Sequence, residues 1–160
     1  MVSLHKVRKE EETVLHHLMQ FYFYEFSRYL PNMKVTDHGT YNRVELDRYW
    51  NDPYHAYFIK LNEELIGFSL VESAEALSPN SIQEFFIMAK YQGNGYKKEI
   101  AKKLFKMFPG EWELSQIEKN QPAQAFWRGV IQEVVADQYK EYHENGLYIQ
   151  KFRVSEKENL

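Results

Sequence analysis

The chain reads as a mixed α/β (α+β) fold: a central, mostly antiparallel sheet of six or seven strands with helices on both faces. Three observations predict it. Apolar residues recur at spacings of three and four in residues 10–29 and again in 100–108, the period of amphipathic helices. Between these segments HAYFIKL, LIGFSLVES and SIQEFFIM are β-branched or aromatic runs of strand character. Near the end of the chain QYKEYHE and LYIQKFRV flank Asn145 and Gly146, the strongest short hairpin signal.

The elements follow in order. Val2, Leu4 and Val7 suit a short first strand. Leu15, Leu18, Met19, Tyr22, Phe26 and Tyr29 then form the apolar stripe of a helix over 10–29, which ends before Pro31. Phe21, Phe23 and Tyr24 fall outside that stripe, as core under a covering loop or as the wall of an apolar pocket. PNMKVTDHGTY, which includes Asp37 and His38, lacks any period and reads as a loop. Helical spacing returns at Val44, Leu46, Tyr49 and Trp50. The runs before and after Asn62, Glu63 and Glu64 make a hairpin. Residues 81–88 alternate between two mostly apolar faces, which suggests a strand in the middle of the sheet. Ile100, Ala101, Leu104, Phe105 and Phe108 continue as a helix stopped by Pro109 and Gly110. Trp112 to Ile117 is a further strand, and a short helix with Pro122 in its first turn follows.

Composition limits the function. With 160 residues, 44% of them hydrophobic, the chain suits one domain with a real core, expected over 1–154 with a polar tail at 155–160. A net charge of −3 gives no electrostatic reason to bind nucleic acid or an anionic membrane. A cationic small substrate suits it better. Absence of cysteine excludes disulfides, thiolate metal sites and a cysteine nucleophile. MVSLHKVRKEEET lacks the apolar run of a secretion signal and no stretch is long enough to span a bilayer, so a cytoplasmic location is expected. His16 and His17 are adjacent and the other four histidines have no ligand spacing, so no metal is expected.

The segment KYQGNGYKKE, residues 90–99, carries the chemistry. A strand, then Gly93, Asn94 and Gly95, then a helix leave unpaired N–H groups at the helix start, a ready anion site. Lys97 and Lys98 in the first turn oppose the helix dipole, at roughly 0.3 to 1 kcal/mol each, unless something negative sits there. A solvated glycine turn is the plain alternative. The segment matches neither the GxxxxGK[ST] phosphate loop nor GxGxxG.

The run EFFIMAKYQGNGYKKEIAKKLF, followed by a strand and NQPAQAFWRGVI, resembles the coenzyme A core of the GCN5-related N-acetyltransferases (GNAT), and FPG and AFWR resemble a bacterial branch of them. Gln92 and Gly95 match the family's glycine motif, and Asn120, Ala123 and Phe126 match its downstream spacing. Lys97 departs from the usual Gly or Ala. The resemblance covers nearly the whole chain and implies a three-layer GNAT-like fold. It further implies transfer of acetyl from acetyl-CoA to the amine of a small molecule or peptide. Coenzyme A contacts then fall to Phe86, Ile87, Met88, Gln92, Gly93, Asn94, Gly95, Tyr96, Lys97, Lys98, Asn120, Phe126 and Trp127. The oxyanion donor would be the amide of Ile87 or Met88, where the fourth and fifth strands are expected to splay.

Glu84 is the candidate general base, since burial among Phe, Ile and Met raises a carboxyl pKa; pairing with a surface Lys or Arg is its structural alternative. Asn120 is equally suited to be a helix N-cap. Trp127 stands where the family often has a proton-donating tyrosine, and an indole cannot replace it. Tyr91, Tyr96, Tyr139, Tyr142 and Tyr148 are the candidate substitutes. A non-catalytic acyl-CoA-binding or sensing module of the same fold is the rival reading, and a homodimer is compatible with either.

Overall fold

A computed structural model describes residues 1–156; most of the expected tail lies outside the described residues. The strands fall into two sheets. β1 (Val2–Lys6), β2 (Tyr54–Leu61), β3 (Glu64–Glu72) and β4 (Ser81–Ile87) pair in that order, antiparallel throughout, while β5 (Gly110–Ile117), β6 (Tyr139–Glu144) and β7 (Leu147–Val154) pair as β5-β7-β6. The last hairpin turns on Asn145 and Gly146, both at positive φ, as that dipeptide favours.

Helices cover both faces. α1 (Glu12–Phe26) lays Leu15, Leu18, Met19 and Phe23 against Phe58, Phe68, Leu70 and Phe86. α2 (Tyr96–Met107) and α3 (Gln121–Val135) pack Ile100, Leu104, Phe105, Trp127 and Ile131 onto the opposite face with Phe85, Ile87, Trp112 and Phe152. Alternation along β4 explains the division: Phe85 and Ile87 point to one layer and Phe86 to the other. Among the described residues no helix is long and apolar enough to cross a membrane.

Several elements differ from the sequence expectation. The first helix is α-helical over Glu12–Phe26, with 3-10 turns at Lys9–Glu11 and Ser27–Tyr29. The stretch around Val44 to Trp50 holds only a 3-10 turn, Asp47–Trp50, and α3 is a full 15-residue helix. β4 is not a central strand of a continuous sheet. It pairs with β3 on one edge, and its other edge meets β5 through a single parallel bridge, Asn80 to Trp112. Its two apolar faces reflect helices above and below it, which says nothing about its edges.

That bridge closes one end of a wedge. The Asn80 N–H donates to Glu111 O and its carbonyl accepts from Glu113 N–H, at 2.8 and 2.9 Å. Its buried side chain donates from Nδ2 to Phe108 O and Glu111 O and accepts at Oδ1 from Ala74 N–H. From this pin β4 and β5 run side by side without a further bridge. On the far edge β3 lies so close to β4 that a Cβ at Gly67 would stand 2.1 Å from Phe86 O.

Candidate active site

The gap between β4 and β5 opens into a cavity of about 690 Å³, lined by residues from α1, β4, the glycine loop, α2, β5 and α3. Of the coenzyme A contacts expected from sequence, Met88 and Asn94 do not line it; the other eleven do, as does Glu84.

The glycine loop contributes Gln92, Gly93 and Gly95 to the cavity wall. Gly93 and Gly95 take φ of 85° and 78°, left-handed values that suit glycine. Gly95 is the N-cap of α2, and no side chain caps that helix. The first backbone bond there runs from Glu99 N–H to Gly95 O at 3.0 Å, so the N–H groups of Gly95, Tyr96, Lys97 and Lys98 are the unsatisfied donors of the helix start. The Asn94 side chain folds back to Tyr91 O and Gln92 O. Gln92 Nε2 donates to Ile87 O at 3.2 Å, tying the loop to the end of β4.

The two lysines go elsewhere. Lys98 Nζ reaches Glu133 on α3 at 2.6 Å, and Lys102 shares that carboxylate at 2.7 Å. The pair of ammonium groups holds the Glu133 carboxyl down to about 2. The negative partner that the first turn requires is therefore supplied by α3. Lys97 turns inward, its Nζ 4.8 Å from the Phe126 ring centroid and 5.5 Å from that of Phe85. Burial without a counter-ion pushes its pKa down to about 8.

Glu84 lies on the α1 side of β4. Its pair is neither Lys nor Arg: the Tyr22 hydroxyl donates to Oε1 at 2.5 Å. Burial pushes the Glu84 carboxyl up, and this hydrogen bond partly draws it back. Tyr22 itself is pushed up by burial and by the adjacent carboxylate. Sequence reasoning placed Tyr22 in the helix stripe and missed its role. The readable signal was a phenol on an inward face, which needs a polar partner. Phe86 packs against Tyr22 and Phe68.

The oxyanion alternatives separate. Met88 N–H donates to Ile66 O at 2.9 Å, so this amide is already engaged. Antiparallel pairs alternate between bonded and non-bonded kinds, so the pair Gly67 and Ile87 is of the other kind. Ile87 N–H therefore faces away from β3, toward the gap.

Asn120 is an N-cap, its Oδ1 accepting from Ala123 N–H at 3.2 Å. Trp127 is buried against Phe85, Phe105 and Phe126. Among the five tyrosines named as substitutes for the missing proton donor, Tyr91 and Tyr96 line the cavity and the three of the last hairpin do not. Asp37 and His38 are away from it as well. Sequence reasoning also missed Gln116, which lines the cavity and exchanges reciprocal amide bonds with buried Gln150 at 2.8 and 2.9 Å. No group of three or more metal-ligating side chains converges among the described residues.

A family model described as the acetyltransferase (GNAT) family matches residues 12–130. The fold is similar to that of an acetyltransferase from Thermus thermophilus, with a TM-score of 0.71 at 16% identity over 96% of this chain and 97% of that one. It is also similar to Arabidopsis thaliana Naa50 in complex with the bisubstrate analogue CoA-Ac-MVNAL, with a TM-score of 0.58 at 16% identity over 94% and 97%. A third similar structure is the PaiA N-acetyltransferase from Thermoplasma acidophilum in complex with coenzyme A, with a TM-score of 0.60 at 11% identity over 96% and 99%. No curated protein matches the chain in sequence.

Proposed function

Because the chain belongs to the GNAT acetyltransferase family, we propose that it moves acetyl from acetyl-CoA to the amine of a small molecule or peptide, by direct attack in a ternary complex. The observation that carries this reading is one cavity lined both by the uncapped start of α2 and by Glu84. The four unsatisfied N–H groups from Gly95 to Lys98 suit a diphosphate through hydrogen bonding and the positive end of the helix dipole. The wedge between β4 and β5 suits a slender pantetheine arm. Two of the similar structures hold coenzyme A or a conjugate of it, which supports the assignment.

In this reading Glu84 takes the proton of the attacking amine, directly or through water. The Ile87 N–H is the donor available to the thioester oxygen as it gains charge. Thiolate departs without a tyrosine acid, since a thiol pKa near 8.5 makes it a tolerable leaving group. The net negative chain favours a cationic acceptor; the cavity wall itself is mixed, with Glu84 and the Glu25–Arg28 ion pair beside Lys97 and Lys98.

Incubation with acetyl-CoA and a panel of amines and short peptides, followed by thiol release, tests the proposal. Glu84→Gln lowers kcat by about 10²-fold or more and leaves coenzyme A affinity unchanged. Lys97 in the cleft and Trp127 in place of a proton donor favour the second reading, an acyl-CoA-binding module. Coenzyme A binding with no turnover on any acceptor, in the parent and in Glu84→Gln alike, would establish that one.

A further inference from the structure

Lys97 brings to the cavity a nucleophile that the proposed transfer does not use. Its neighbour Lys98, one residue along the same helical turn, is ion-paired with Glu133. Lys97 has no such partner among the described residues, and its Nζ rests on the faces of Phe85 and Phe126. Those two rings pack directly on Trp127, and all three line the cavity that also holds Glu84 and Ile87. A cation over aromatic rings recovers part of its lost hydration, but burial still favours the neutral amine and brings its pKa down to about 8. Near neutral to mildly alkaline pH a far larger share of such an amine is unprotonated than of an ordinary lysine near 10.4. A neutral amine inside an acyl-transfer cleft is a competent attacking group.

We propose that Lys97 is itself an acetyl acceptor: without an external amine, the protein transfers the acetyl group of bound acetyl-CoA to Lys97 Nζ. This rests on the acetyl-transfer reading above. The Nζ lone pair attacks the thioester carbonyl carbon, the new N–C bond forms and the C–S bond breaks. The proton lost from nitrogen ends on the departing coenzyme A thiolate. The products are an Nζ-acetylated lysine and free coenzyme A, and no further reactant is needed. The acetylated side chain is a neutral amide that can no longer attack, so the event occurs once per chain.

The test uses the full chain. Calorimetry with coenzyme A first establishes binding. The protein is then incubated with acetyl-CoA in the absence of any amine, and modification is followed by intact mass and peptide mapping. The expected result is addition of a single acetyl group at Lys97, with a rate constant that saturates in acetyl-CoA and is independent of protein concentration. Lys98 and Lys102, both held by Glu133, react at least about tenfold more slowly. Lys97→Arg, its coenzyme A affinity measured by the same calorimetry, gains no acetyl group at coenzyme saturation. Coenzyme A binding with Lys97 unmodified, or modified no faster than Lys98, overturns this proposal and leaves the acetyl-transfer reading standing. Absence of coenzyme A binding removes both.

Discussion

Glu84 and Tyr22 form a half-buried carboxylate–phenol pair, to which the proposed transfer assigns the proton of the attacking amine. The side chains come from residues 62 positions apart, one on an inward helix face and one on a strand between two apolar layers. Burial binds the Glu84 proton more tightly in the folded protein than in the unfolded chain. Such a group adds stability that is fully present below the unfolded pKa and is lost as pH rises through the folded one. Glu84→Gln abolishes the ionisation, so the variant gains stability relative to the parent between pH 4 and pH 8; denaturant unfolding at both values measures the gain. The rate has the same origin. In the proposed transfer Glu84 acts when ionised, so kcat is expected to rise with pH through a value above the ordinary carboxylate range. Tyr22→Phe removes the bond that draws this value down, and the rising limb moves to higher pH. A limb that stays in place would separate Tyr22 from the base.

At the scale of elements, Asn80 and Gly67 set the wedge. Asn80→Ala removes three side-chain hydrogen bonds, to Phe108 O, to Glu111 O and from the Ala74 N–H; the two carbonyls keep the Trp112 indole and the backbone N–H of residue 80 as donors. Each such bond contributes about 0.5 to 1.5 kcal/mol net, and urea unfolding should register a loss of about 3 kcal/mol for the three. Asn120→Ala removes only the N-cap of α3 and costs about 1 kcal/mol. Gly67→Ala would drive a methyl into the backbone of β4, and that strand must move.

Much at this scale was legible in the sequence. Period three-to-four spacing marked α1 and α2, alternation marked β4, and Asn145 with Gly146 marked the last turn. Periodicity reports which faces are covered, so it revealed the two buried faces of β4 and was silent on its nearly unpaired edge. Charge was equally incomplete. Lys97 and Lys98 read as a pair of cations beside a phosphate site, while the fold sends one to Glu133 and the other onto Phe126. Those partners lie on α3, beyond the reach of local spacing. That Gln92, Gly95 and Glu84 line one cavity follows from features local motif and strand alternation already marked.

For the molecule as a whole, two sheets share one cleft, and a coenzyme held at the start of α2 and along the wedge touches both. A ligand that binds only the folded chain stabilises it by mass action, by about 2.7 kcal/mol at a hundred times its Kd. Thermal unfolding should therefore shift upward with coenzyme A. Calorimetric titration of the full chain with coenzyme A tests the central claim most directly, because it needs no acceptor. The account predicts saturable binding at one site per chain, lost when Gly95 is replaced by a β-branched residue that strains its left-handed backbone. No heat and no stabilisation at millimolar coenzyme A would contradict it.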